Sequence, residues 1–213
     1  KQTAGFERDA RTVSSLTLLS RFGGLARDAT MSRVFGIGPV MDAFAFGFMV
    51  PNLFRRLFGE GALGASMLPV FVRELEKDPS TAILMARLLI SRAMLLLAAL
   101  VLIVEALILS GLFEGEFEVG IRLLAIMLPY APLVCMVALC GAMLHAYGRF
   151  GPTAAAPLVL NGLLVVTTLV TIPAVTSDSL SVEGQITLVA ASVLVAGLVQ
   201  VIWSLRALKK VAE

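Results

Sequence analysis

Three arginines in the first third of the chain, Arg21, Arg27 and Arg55, stand in otherwise apolar, helix-patterned surroundings. On a helix of 3.6 residues per turn, Ser14, Thr17, Arg21, Gly24 and Asp28 fall within about 80° of one another and form a polar stripe. Ser20 and Arg27, seven apart, make a second stripe beside it. Asn52, Arg55, Arg56 and Glu60 continue the theme, and Arg56 and Glu60 have the i,i+4 spacing that permits an ion pair. A charge near a bilayer centre costs at least about 2.5–3.5 kcal/mol, so several in adjacent spans call for a polar cavity or mutual pairing. Snorkelling to an interface is the plainer account. It suits Arg21 and Arg55 poorly, because they lie about nine and about thirteen residues into their helical stretches, near mid-depth at 1.5 Å per residue. Three arginines with few acids nearby leave positive charge in low dielectric, which an anion would occupy, and the planar guanidinium fork suits phosphate. For Arg56 and Glu60 a purely structural account serves equally well: an intrahelical pair closing a helix break.

Other polar residues have milder explanations. Glu105, alone in an apolar run, is a proton site or simply tilts toward an interface or cavity, and His145 lies near a span end where solvation accounts for it. Asn161, with Pro157, reads as an interhelical hydrogen-bonding residue. Cys135 and Cys140, five apart in an apolar run without histidines nearby, read as buried packing thiols. Gly36-Ile37-Gly38 is a turn rather than a phosphate loop. No Ser/His/Asp set, metal cluster or carboxylate pair is visible, so the sequence offers no catalytic residue, no metal ligands and no cofactor.

These residues must be positioned by membrane helices. Hydrophobic residues make up 58% of the chain, charged ones 15%, and the mean hydropathy is +0.93, well above what a soluble domain needs. The net charge of +2 is scattered, which argues against nucleic acid as a partner and leaves anionic membrane lipids. The expected architecture is an all-α integral membrane protein, a six-helix transmembrane bundle with spans at about 12–36, 42–72, 82–113, 121–147, 153–175 and 185–206. A segment 1–11 precedes the six-span lobe (12–207) and 208–213 follows it; the start lacks a signal-peptide pattern. Breaks are expected at Gly23-Gly24, near Pro51 or Gly59-Glu60-Gly61, and at Pro129 and Pro132. Lys1, Arg8 and Arg11, then Arg73 and Lys77, Arg149, and Arg206, Lys209 and Lys210 mark one side. Arg33, then Glu114, Glu116 and Glu118, then Asp178 and Glu183 lie on the other; positive residues dominate the first side, so both termini are expected to be cytoplasmic.

The stretches Ser20-Arg-Phe-Gly-Gly-Leu-Ala-Arg-Asp28, Met41-Asp-Ala-Phe44 and above all Pro51-Asn-Leu-Phe-Arg-Arg-Leu-Phe-Gly-Glu-Gly-Ala62 resemble the MurJ/MviN lipid II flippases of the MOP exporter superfamily. Weaker similarity runs through Tyr147-Gly-Arg-Phe150, Ala156-Pro-Leu-Val-Leu-Asn161 and Leu208-Lys-Lys210, so it covers nearly the whole chain. The resemblance implies transport of an undecaprenyl-pyrophosphate-linked peptidoglycan precursor across the bacterial inner membrane by alternating access between two lobes, driven by membrane potential or an ion gradient. It implies that Arg21, Arg27 and Arg55 engage the pyrophosphate with Ser20 and Asp28 beside them. Asp42, Pro51, Asn52, Arg56 and Glu60 are then gating or helix-shaping residues. Six spans correspond to one lobe, leaving the second lobe, with the family's cation site, as a partner. Met49 departs from a basic position common in the family. Two further readings stay open: a scaffold that binds lipid II without moving it, and a polysaccharide or multidrug exporter of the same superfamily.

Overall fold

In the computed structural model the described residues are 2–59, 62–111, 115 and 117–212, and among them the chain is helical throughout, with no strands. The helices are α1 (Gln2–Phe35), α2 (Pro39–Phe54), α3 (Ala62–Lys77), α4 (Pro79–Leu109), α5 (Glu118–Met127), α6 (Tyr130–Ala146), α7 (Gly151–Val170), α8 (Ile172–Thr176) and α9 (Val182–Ala212), with a single π-helical turn, Arg55–Gly59, continuing α2. Local chemistry sets many of these boundaries. Gly36, at φ 70°, ends α1 in the left-handed region that glycine enters freely, and Pro39 begins α2 at a position where its missing N–H is not needed. Asp78 caps α4, accepting bonds from the Ser80 and Thr81 amides ahead of Pro79. Gly148, at φ 69°, turns the chain out of α6.

Among the described residues, four helical segments are long and apolar enough to cross a membrane: Pro79–Leu109, Glu118–Ala146, Gly151–Thr176 and Val182–Val211. The protein is an all-α membrane bundle. α1 lies mainly on α7, α2 on α5, and α9 packs against both α6 and α7. One core gathers Met31, Phe44, Met127, Leu164, Val189 and their neighbours from six helices, and a second joins Phe71, Ala82, Ala86 and Leu139 of α3, α4 and α6. α6 is buried along nearly its whole length and serves both cores. Where α2 meets α5, a Cβ on Gly47 would lie 2.8 Å from the Leu124 backbone nitrogen, so the absence of a side chain sets the approach. α4 is clothed in exposed leucines, as a helix solvated by acyl chains should be.

The breaks differ in part from the expectation. α1 runs from Gln2 without interruption through Gly23-Gly24, so segment 1–11 continues the first helix from Gln2 onward. The two glycines instead face α7, where a Cβ on Gly23 would touch Leu158 at 3.4 Å and Asn161 at 3.6 Å. In the second expected span Pro51 stays inside α2 and the regular ladder gives way at Arg55, while Glu60 and Gly61 of the alternative break lie outside the described residues. The bend expected from two prolines falls at Pro129 alone: Pro132 sits in the first turn of α6, where no amide is required.

Candidate functional site

The site is built on α1, the end of α2 and the π turn, and it converges on one stretch of α7. Arg27, with 24% of its side chain exposed, bends its guanidinium along α1 to Asp28: Nε and Nη2 donate to Asp28 Oδ1 at 2.9 and 2.8 Å. Adjacent helix residues do not normally face each other, so the two stripes read from the sequence are joined here by a long side chain rather than by helix geometry. The same guanidinium donates through Nη1 to Asn161 Oδ1 on α7 at 3.1 Å. Asn161, only 7% exposed, donates in turn from Nδ2 to the Ser20 carbonyl at 3.4 Å. Asn161 is thus the interhelical hydrogen-bonding residue its sequence context suggested, and one of its two partners is an arginine.

Arg21 is exposed and makes no hydrogen bond or ion pair among the described residues. Arg55, half-buried, is restrained within its own helix: Nε and Nη2 each lie 3.2 Å from Asn52 Oδ1. It lines a cavity of about 140 Å³ with Tyr130, Val134, Thr153, Leu160 and Gln200 among its neighbours. Within that wall the Tyr130 hydroxyl donates to Gln200 Oε1 at 3.3 Å, and Gln200 Nε2 donates to the Ala156 carbonyl at 2.7 Å. Arg27 and Arg55 therefore address the same turn and a half of α7: Asn161 holds the first, and Ala156, Pro157 and Leu160 help to wall the second.

The remaining predicted residues fall elsewhere or outside. Asp42 is exposed in the first turn of α2, beside a groove of about 310 Å³ that it shares with Glu183, Phe117 and Gly120. Pro51 is buried within α2. Arg56 is exposed; its expected partner Glu60 lies outside the described residues. Arg122, which the sequence reading passed over, bridges α5 to α9 through Glu183 Oε2 at 3.1 Å. Tyr130, Thr153 and Gln200 were also missed. Their one signal is polarity inside apolar helices, which by itself does not separate site from packing. Cys135 and Cys140 are free and buried in α6, and His145 lies against Phe150 with ring centroids 5.0 Å apart. Among the described residues no three His, Cys, Asp or Glu side chains gather as a metal site would require.

A comparison of the sequence with protein families decides its place. The profile of the family described as lipid II flippase MurJ matches residues 31–212. The chain belongs to that family. The matched stretch contains Arg55 and Asn161 and begins just after Arg21, Arg27 and Asp28. Among curated relatives, the probable lipid II flippase MurJ of Rhizobium tropici is 34% identical over 166 residues, covering 72% of this chain and 31% of that protein. The lipid II flippase MurJ of Burkholderia cenocepacia is 31% identical over 211 residues, covering 94% and 39%. This chain therefore spans about a third to two fifths of the relatives' length. A solved structure described as lipid II flippase MurJ in an inward closed conformation superposes with a TM-score of 0.75 at 22% identity, over 93% of this chain and 42% of that one, so the two share a fold.

Proposed function

We propose that the chain forms one lobe of a lipid II flippase, and that its arginines hold the pyrophosphate of an undecaprenyl-linked peptidoglycan precursor while the polyprenyl tail remains in lipid. The observation that carries this reading is the convergence of Arg27 and Arg55 on residues 156–161 of α7, each guanidinium restrained by a neutral amide oxygen, Asn161 for one and Asn52 for the other. An amide orients a guanidinium without cancelling its charge. Arg21, exposed on the same helix as Arg27, supplies a third cation. Asp28 offsets part of the charge, and Ser20 is tied in through its carbonyl.

In this reading no covalent bond is made or broken by the chain. Asn52 keeps Arg55 in register with the π turn, and Pro51 and Arg56 shape that turn, while Asp42 works at the far end of α2. The second lobe of the same transporter completes the cavity. The membrane is the bacterial cytoplasmic one, with both termini on the cytoplasmic side, and movement is driven by membrane potential or an ion gradient. Complementation tests the assignment. Arg21→Ala, Arg27→Ala and Arg55→Ala, each made in the intact parent protein and matched for membrane abundance, are expected to fail to support growth once the native flippase is withdrawn. Growth sustained by all three would overturn the arginine role.

A further inference from the structure

At the end of the bundle where α1 stops, α8 follows α7 and α9 begins, a half-open groove of about 430 Å³ lies between these helices. Leu169, Ile172 and Val175 give it apolar walls, and Arg33, exposed in the last turn of α1, is the charged residue among the described residues that line it. Thr30 stands one turn earlier on α1 and lines it too. Neither the Arg33 guanidinium nor the Thr30 hydroxyl has a hydrogen-bond or ion-pair partner among the described residues. Gln185, buried in the same wall, is already committed, with Nε2 donating to the Thr168 carbonyl at 3.2 Å and to Thr171 Oγ1 at 3.0 Å. At about 100° per residue, Arg33 lies about 120–140° round α1 from Arg21 and Asp28, so it does not share their face. Deeper along its own face come Phe22, Ala26 and Ala29, all exposed, and deeper along α7 come Val166, Leu169 and Val170, which are 54%, 49% and 70% exposed. Two apolar tracks therefore run from the groove into the span. Snorkelling to the headgroups accounts for Arg33 alone, but not for the groove and the unpaired hydroxyl beside it.

We propose that this groove seats one resident phospholipid, with its phosphodiester on the Arg33 guanidinium and the Thr30 hydroxyl and its two acyl chains along the tracks on α1 and α7. A single cation with no acid in the groove wall matches the single negative charge of a phosphodiester. Phosphatidylglycerol, whose headgroup adds no ammonium to repel Arg33, is the lipid that fits. Held there, it bridges α1, which lies mainly on α7, to α8 and α9. The site rests on the membrane fold and not on the flippase reading, and its test needs no transport.

The experiment titrates the intact parent protein, delipidated in detergent, with dioleoyl-phosphatidylglycerol and follows the first bound lipid by native mass spectrometry. Arg33→Gln, a change at an exposed position that leaves the core intact, is expected to weaken that first binding by about fivefold or more, the size of one arginine's attraction to an anionic lipid surface. Arg33→Lys keeps the charge and is expected to retain most of the affinity. Val175→Trp fills the groove while leaving the arginine in place, and is expected to weaken binding to a similar degree. Arg206→Gln, which removes an exposed cation near the far end of α9, is expected to leave it unchanged. A first binding event unchanged in either Arg33→Gln or Val175→Trp overturns the proposal, and a groove covered by the second lobe would give that result. Equal weakening by Arg206→Gln, the mark of a general charge effect, overturns it too. So does displacement of the bound lipid by an equimolar amount of undecaprenyl pyrophosphate, which would make the groove part of a substrate path.

Discussion

Arg27 and Asn161 lie 134 residues apart in sequence and 3.1 Å apart at their closest polar atoms. The arginines stand out in the sequence, because charge in an apolar helical stretch is expensive and so conspicuous. What orients them does not. Asn161 looks like any polar residue in an apolar helix, the Arg27–Asp28 pair depends on how a flexible side chain folds back, and Tyr130 meets Gln200 only because α6 and α9 pack together. Asn161→Leu would leave Arg27 Nη1 and the Ser20 carbonyl without their partner at a site only 7% exposed. A hydrogen bond to a charged group contributes about 1.5–3 kcal/mol. Thermal or denaturant unfolding of the full-length protein should show a loss of about that size, with Asn161→Gln losing less. A leucine variant as stable as the parent would mean that the contact contributes little.

The element most clearly specified by its own residues is the start of α4. Asp78, Pro79, Ser80 and Thr81 form a self-contained cap, and hydrogen bonds from the Thr81 and then the Ser80 hydroxyl and amide hold the Asp78 carboxyl down to about 2, against an ordinary 3.8. Because the folded-state value is the lower one, the cap stabilises fully above about pH 4 and is lost as pH falls through about 2. Unfolding midpoints of the parent and Asp78→Ala should therefore differ by a constant amount from pH 7 down to about 4 and converge towards pH 2. A gap that stays constant to pH 2 would assign the effect to something other than the ionised cap. Elsewhere the legible signals were breakers, and their outcomes followed position within the turn: Pro129 interrupts, Pro132 does not, and Gly23-Gly24 serve a helix contact instead of a kink. The π turn at Arg55–Gly59, which packs mainly on α6, has no sequence signature of its own.

At the scale of the molecule, hydropathy and length were enough to reveal a helical membrane bundle, because lipid admits few backbone solutions. The pairing of helices was not legible, since a run of leucines against lipid and a run of leucines against another helix read alike. α4 and α6 make the contrast: both are strongly apolar, yet Leu95, Leu96, Leu102 and Ile103 of α4 are exposed while α6 is enclosed. Leu96 is 74% exposed near the middle of a 31-residue helix, so Leu96→Arg places a charge in hydrocarbon at a cost of about 2.5–3.5 kcal/mol. A glycosylation-reporter assay of membrane insertion should show a marked drop in the inserted fraction for α4, and unchanged insertion would mean that this face meets protein or water. The enclosure of α6 has a practical side as well. Cys135 and Cys140 are 0% and 1% exposed, so the natural sequence already presents a thiol-free surface among its described residues. Single cysteines placed at Arg21, Arg56 or Asp42 can therefore report their surroundings to water-soluble maleimides without first stripping sulfur from the bundle's central pillar.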